Sequence, residues 1–595
     1  MFAIASLVFA SSAVQSVPIK LDVDATDIGR NIIRVVEELP ATDLVRFPKW
    51  MPGDHAPDGP LRNAIMFHAF ADGKEIKWRR DGVDLYDIHL DIPQGAQRLR
   101  LEFIDGEAIG DVATSLLGRI KWGHAIFLPK GPVDRIPVRV TLKVPTGWQA
   151  FDSLPFKRMG DTLQFEDTNA ERLIDSPVMM GKYAASYPAG EGHELDIVGD
   201  DPKNVAISPE TVSGMKNIVD ETLAVWGAKH YNSYKWLLTV SNFGAFDGLE
   251  HNECSEDGVG ADGIMGGLTN SGLADLLCHE YTHSWNGKYR RPAGLSTPDY
   301  ATPQQGELLW VYEGMTQYWG YILPARAGFW NAEHLHDVIA ADAARLAIKD
   351  GRKWKSTADT AVAASIDRHP SAPWALATRG QDYYQEGVLL WVGIDATLRR
   401  LTNGQKNLND FCHLFGGGQN TEPEIVSYTR EDIVRLLNQV APYDWAGYIQ
   451  KMVYDVHPTP TTEGLEMAGW RLVFNSTPGP VGGHFYDLGM DVGSDGMIND
   501  MLIGSAADQA KVAPGMKILT VNNKPFSDGN LNDAVTAGMK PGNPIVLEVV
   551  KDDVVSVVRI DYTGGLKYAH LEAIPGATDY LSQIATPVVK HDNPK

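Results

Sequence analysis

The hydrophobic pattern of this chain changes period twice, and each period demands a different kind of core. From about Lys20 to Pro188, apolar and polar residues alternate, as in RIPVRVTLKVP (Arg135 to Pro145) and RLRLEFIDG (Arg98 to Gly106). Alternation sends one face of a strand into a core and the other into water. The turn-forming stretches ADGKE and RDGVD separate such runs, so a sandwich or a large twisted sheet is expected. Near Ser208 the spacing becomes helical. SPETVSGMKNIVDETLAVWG opens on Ser-Pro, with a glutamate read as half of a capping box. KWLLTVSNF follows as a strand, and helical patterns such as HLHDVIAADAARLAIKD and EDIVRLLNQV dominate to about Tyr454. From about Gly464 to Gly565 short strands alternate with one short helix, and the tail beyond shows no pattern.

At 595 residues the chain is too long for one core. The expected division is a leader at 1–17, a β-rich domain at 18–188, a central domain at 189–323, an α-helical domain at 324–463, a module at 464–567 and a tail at 568–595. The opening MFAIASLVFASSAVQS is an apolar stretch followed by small residues, though no Lys or Arg precedes Lys20. It reads as a secretory signal, which implies a secreted, periplasmic protein. No segment supplies the roughly 18 apolar residues of a membrane span. A net charge of −23, from 53 basic and 76 acidic residues, argues against a nucleic-acid partner. Cys254, Cys278 and Cys412 are too few for a disulfide framework; at most one bridge could form, and Cys278, whose spacing fits no zinc-cysteine motif, reads as a buried thiol.

The chemistry concentrates in the middle of the chain. Phe243 to Gly267, FGAFDGLEHNECSEDGVGADGIMGG, is polar and rich in glycine and reads as a loop over a site. LLCHEYTHSWNG (Leu276 to Gly287) comes next, with Ser271 as the expected N-cap of its helix. His279 and His283, four apart, share one helix face with Cβ atoms about 5–6 Å apart, so both imidazoles can reach one ion. Glu280 flanks that face and can reach an activated water without binding the metal. A catalytic zinc takes three protein ligands and leaves one position open. The third is expected from ELLWVYEGMTQYWGYIL (Glu307 to Leu323). Glu313 lies in an apolar, aromatic helix, where an unpaired carboxylate is costly. Its competitor Glu307 lies at the helix start, where the dipole favours acids anyway. The ligand set is therefore His279, His283 and Glu313, around one zinc ion.

HEYTHSWNGKYRRP followed by LWVYEGMTQYWG resembles the glycyl aminopeptidase family of zinc peptidases, relatives of the thermolysin-like and leukotriene-hydrolase-like enzymes. Trp285, Asn286, Arg291, Pro292 and Trp310 to Thr316 carry the resemblance. The gap from His283 to Glu313 is longer than in the leukotriene-hydrolase relatives. FPKWMPGD (Phe47 to Asp54) and LRN (Leu61 to Asn63) resemble the family's N-terminal motif. DGLEHNE (Asp247 to Glu253) resembles its Gly-Leu-Glu-His segment, with Asp in place of the usual first Gly. YYQEG (Tyr383 to Gly387) resembles its tyrosine motif.

The resemblance implies a multidomain α+β protein: a β-rich N-terminal domain, a thermolysin-like catalytic domain, an α-helical domain and a C-terminal PDZ-like domain. It implies Glu280 as general base and Tyr384 as donor to the oxyanion. Tyr383 is the alternative to Tyr384 and otherwise belongs with the substrate-binding residues. It places Glu250 on the substrate's free α-amino group and His251 beside the ligands. The substrates implied are peptides with a free N-terminus and a small first residue, glycine or alanine. A zinc endopeptidase and a non-catalytic peptide-binding protein are the rivals. SAADQAKVAPGMKILTVNNKPF (Ser505 to Phe526) and YDLGMDV (Tyr486 to Val492) resemble a PDZ core and its carboxylate-binding loop, which would take peptide C-termini. Asp487 replaces that loop's usual glycine, and its charge opposes a terminal carboxylate.

Overall fold

The computed structural model describes residues 17–106, 113–244, 247–367, 373–457 and 462–591. The expected leader lies outside them except for Val17. The chain divides into two units: Met1–Met51, Asp58–Tyr183 and Pro298–Thr302 form one, and Pro52–Pro57, Ala184–Thr297 and Pro303–Lys595 the other.

The first unit is built on the expected β pattern. Its main sheet runs, in spatial order, Phe156–Met159, Thr162–Phe165, Pro137–Lys143, Ile19–Asp24, Ile33–Pro40, Arg98–Asp105, Ala64–Ala71 and Lys74–Ile76. Ile19–Asp24 pairs parallel with Pro137–Lys143 and antiparallel with Ile33–Pro40. The alternation is visible in burial: Ile19, Leu21 and Val23 are inside while Lys20 and Asp22 face water. Two three-stranded sheets complete the unit, and Phe103, Trp122, Phe127 and Phe165 fill its core.

The second unit holds a five-stranded sheet in the order Tyr183–Gly190, His193–Gly199, Tyr234–Val240, Cys254–Val259, Asp247–Glu250. Two sequence expectations change here. Tyr183–Gly190 is a strand, as the pattern to Pro188 expects, but it joins this sheet, and the first unit ends at Tyr183. The glycine-rich stretch is not a loop throughout, because it contributes two strands. Ser255, Glu256 and Asp257 are buried in the strand Cys254–Val259, so polar residues stand where a strand pattern needs apolar ones.

Helix Pro209–Trp226 starts at Ser208, whose hydroxyl accepts the Thr211 N–H at 3.2 Å. Glu210 falls one residue short of the position that closes a capping box, and no box forms. Helices Gly272–His283, Leu309–Tyr312, Gly314–Ala327, Ala332–Ile348 and Gln385–Leu401 supply the rest of the site's frame. The C-terminal module has its own core, including Leu488, Met490, Ile498, Ile518, Val535, Leu547 and Ile560. The tail, whose sequence shows no pattern, carries structure among its described residues, 568–591. Tyr568–Ala573 pairs with Trp470–Asn475, and beyond helix Tyr580–Ile584 the N–H groups of Val588 and Val589 donate to Glu221. Among the described residues no helix is long and apolar enough to cross a membrane.

Candidate metal centre

Helix Gly272–His283 is pinned to the sheet before it offers any chemistry. The Trp236 indole N–H donates to the Leu277 carbonyl at 2.9 Å, and the Tyr234 hydroxyl to that of Glu280 at 3.2 Å. Ser271 is at the N-cap position, but its hydroxyl donates back to the Leu268 carbonyl and does not cap. Trp285 stacks on Trp226 at 5.8 Å and donates to the Ala228 carbonyl. Cys278 is fully buried, and burial pushes its thiol well above the usual range, so it is packing.

His279 and His283 bring their Nε2 atoms to 3.0 Å from each other. Glu313 Oε2 lies 3.4 Å from the first and 3.2 Å from the second. A tetrahedral zinc with bonds of about 2.0–2.1 Å needs its ligand atoms roughly 3.3 Å apart, so these three fit one. His283 donates from Nδ1 to the Asn286 carbonyl at 2.9 Å, which leaves Nε2 as the lone-pair nitrogen. Asn286 also reaches forward. Its amide contacts the carbonyls of Val311 and Tyr312 and the Thr316 hydroxyl, at 2.8, 3.1 and 3.0 Å. That fixes the break between helices Leu309–Tyr312 and Gly314–Ala327, where Glu313 stands. Glu307 is exposed and accepts the Tyr454 hydroxyl, away from the trio.

His55, which sequence reasoning passed over, donates from Nε2 to the other oxygen of Glu313 at 2.5 Å. It sits two residues past the Pro-Gly of the N-terminal motif, and that position was the one available signal. Tyr312 was also missed. Its ring packs edge-on against His55 at 5.3 Å, and its hydroxyl donates to Glu250.

Glu250 ends the edge strand Asp247–Glu250 and is buried. Its carboxylate lies within 4.8 Å of the ligand atoms of Glu280 and His283, and likewise of His55 and Glu313. Gly248 permits this approach, since a Cβ there would sit 2.2 Å from Glu280 Oε1. His251 is not among the convergent groups and lies 3.2 Å from Glu256.

Tyr384 is the N-cap residue of helix Gln385–Leu401, half-buried, with its ring 6.0 Å from that of His279. Tyr383 is fully buried and packs behind Tyr384 at 4.9 Å. Two motif glycines bring this helix in. Gly314 and Gly387 face each other so closely that a Cβ on either would sit 2.3–2.9 Å from the other's Cα.

Electrostatics sort the acids by role. Burial alone would raise Glu313, but His283 and hydrogen bonds from His279, His283 and His55 hold it well below the usual carboxylate range. Burial also opposes the charge of Glu250, yet His283 and Lys288 bring it below its ordinary value. Glu280 moves the other way: burial, then Glu250, Asp257 and Glu313, push it well above.

Residues 272–390 match the family model of the M61 glycyl aminopeptidase, and residues 20–182 match that of the peptidase M61 N-terminal domain. The first segment contains His279, Glu280, His283, Glu313 and both tyrosines; Glu250 and the C-terminal module lie outside both. Among solved structures, the aminopeptidase N family protein of Idiomarina loihiensis aligns over 96% of this chain and 100% of its own, at TM-score 0.80 and 17% identity. The two share a fold. Leukotriene A4 hydrolase of Saccharomyces cerevisiae aligns over 75% of this chain and 68% of its own, at TM-score 0.46 and 11% identity. The M1 zinc metallopeptidase of Deinococcus radiodurans aligns over 75% and 96%, at TM-score 0.42 and 14% identity. A search of the curated proteins found no match.

Proposed function

We propose that the protein is a zinc aminopeptidase of the periplasm that removes small N-terminal residues, glycine or alanine, from peptides. The observation that carries this reading is the convergence of His279, His283 and Glu313 at zinc-ligand spacing, with Glu280 and Glu250 at its side.

A zinc ion held by those three groups supplies Lewis-acid chemistry, acidifying water and polarising a carbonyl oxygen. Glu280, beside the ligand pair, takes the proton of the attacking water and passes it to the departing amine. Tyr384 donates its phenol hydrogen to the oxygen on which charge develops, and Tyr383 backs it from the core. Glu250, whose charge Lys288 favours, receives the substrate's ammonium group and blocks a longer N-terminal extension. This makes the enzyme an exopeptidase rather than an endopeptidase.

The test is bound zinc together with hydrolysis of glycyl and alanyl chromogenic amides, measured beside Glu280→Gln. A zinc-free, inactive wild type would overturn the proposal. Acetylating the N-terminus of a test peptide should abolish its cleavage; undiminished cleavage would point to the endopeptidase.

A further inference from the structure

Tyr384 is presented by a segment whose backbone is unfavourable in isolation. Trp374, Arg379 and Gln381 all have positive φ, at 85°, 59° and 51°, and none is a glycine. Non-glycine residues hold such angles where their surroundings over-determine them. Two sets of contacts do so here, one at each end.

At the near end lies the C-terminal module. Asp500, buried on the strand Ile498–Met501, accepts the Trp374 N–H at 3.0 Å with one oxygen and the Leu376 N–H at 3.3 Å with the other. It thereby caps the short helix Ala375–Thr378. At the far end, Arg379 donates to Asp382 at 2.9 Å and to the Thr357 hydroxyl at 2.9 Å, and it pairs with Glu386. Lys349 pairs with Asp382 and Arg352 with Glu386. Asp382 and Glu386 stand two residues either side of Tyr384.

The module's own loop is meanwhile satisfied internally. The Leu488 N–H donates to Asp487 Oδ1 at 2.6 Å, and the Gly489 and Met490 N–H groups donate to the His484 carbonyl at 2.7 and 3.1 Å. A peptide carboxylate would find these three amides engaged and a carboxylate already beside them.

We propose that Asp500 is a positioning residue for the active site: by capping the Trp374–Thr378 turn, the C-terminal module holds the segment that sets Tyr384 against the metal ligands. This rests on the peptidase reading of the site, with Tyr384 as its phenol donor.

Hydrogen exchange and steady-state kinetics on the full chain test it together. Asp500→Ala should speed amide exchange across residues 374–384 and lower kcat about tenfold, with KM changed by less than about twofold and bound zinc unchanged. Asp500→Asn keeps one accepting oxygen and should fall between; it carries the same test if the alanine variant does not fold. In a Tyr384→Phe background, Asp500→Ala should cost kcat little more, because both act through one hydroxyl. Unchanged exchange and kcat, or a loss that multiplies fully with that of Tyr384→Phe, would overturn the proposal. If the wild type cleaves nothing, faster exchange still supports the cap, and only the peptidase reading falls.

Discussion

His55 and Glu313 are 258 residues apart in the chain and meet through one hydrogen bond, His55 Nε2 donating to Glu313 Oε1 at 2.5 Å. The bond turns the carboxylate so that Oε2 faces the two histidines at 3.4 and 3.2 Å. A partner that orients a ligand typically contributes 10- to 100-fold in metal affinity. His55→Ala should therefore weaken zinc binding by about that factor, measured by competition with a chromophoric chelator. Saturating zinc should restore much of the activity. Unaltered affinity would reduce His55 to packing.

Glu280 and Glu250 lie within 4.8 Å of each other yet are pushed in opposite directions. Their substitutions should separate accordingly. Glu280→Gln should bind zinc normally and lose about 10²- to 10⁴-fold in kcat, the usual worth of a positioned base. Glu250→Gln should instead lose about 10- to 100-fold in kcat/KM on substrates with a free amino group, as expected for a lost charge-assisted hydrogen bond. Comparing kcat and KM for both variants on one alanyl amide is sufficient. A Glu250→Gln variant with wild-type kcat/KM would remove that residue from N-terminus recognition.

The clustering of the two histidines and Glu280 was legible because helical spacing puts His279 and His283 on one face with Glu280 at its flank, and that of Glu313 because an acid amid Trp310, Tyr312 and Trp319 needs a reason to be buried. The frame around them was harder to read. The strand Cys254–Val259 buries Glu256 and Asp257, so no alternation announces it. His55 acts across 258 residues, and its place two residues past Pro52-Gly53 is its one local mark. The strand Tyr568–Ala573 pairs with Trp470–Asn475 across the whole C-terminal module, a register that neither segment specifies alone. Capping by Asp500 is equally non-local, since its acceptors serve backbone N–H groups more than 120 residues away.

Gly314 and Gly387 let the helix after Glu313 and the helix after Tyr384 touch backbone to backbone. A Cβ on Gly387 would meet the Gly314 Cα at 2.3 Å, and a backbone atom cannot rotate aside. Gly387→Ala should cost about 1–3 kcal/mol of stability, the range for overpacking. It should also lower kcat more than KM, because the displaced helix carries Tyr384. Thermal melts and kinetics on the same preparation check both. A melt within error of wild type would mean that the helices have room to part.

Glu37, in the first unit, gives stability a pH dependence of its own. It is fully buried, one oxygen accepts the Phe127 N–H at 2.9 Å, and the other has no hydrogen-bond partner among the described residues. Burial pushes it from its ordinary value of 4.5 up to about 8. Between those values the folded state keeps a proton that the unfolded chain has lost. The contribution of Glu37 is thus fully present below the unfolded value and is lost as pH rises toward the folded one. The slope is at most about 1.4 kcal/mol per pH unit. Glu37→Gln keeps an acceptor for Phe127 and cannot ionise, so its melting temperature relative to wild type should climb steadily from pH 5 to pH 8. Parallel stability curves over that range would show that Glu37 finds charge compensation when ionised.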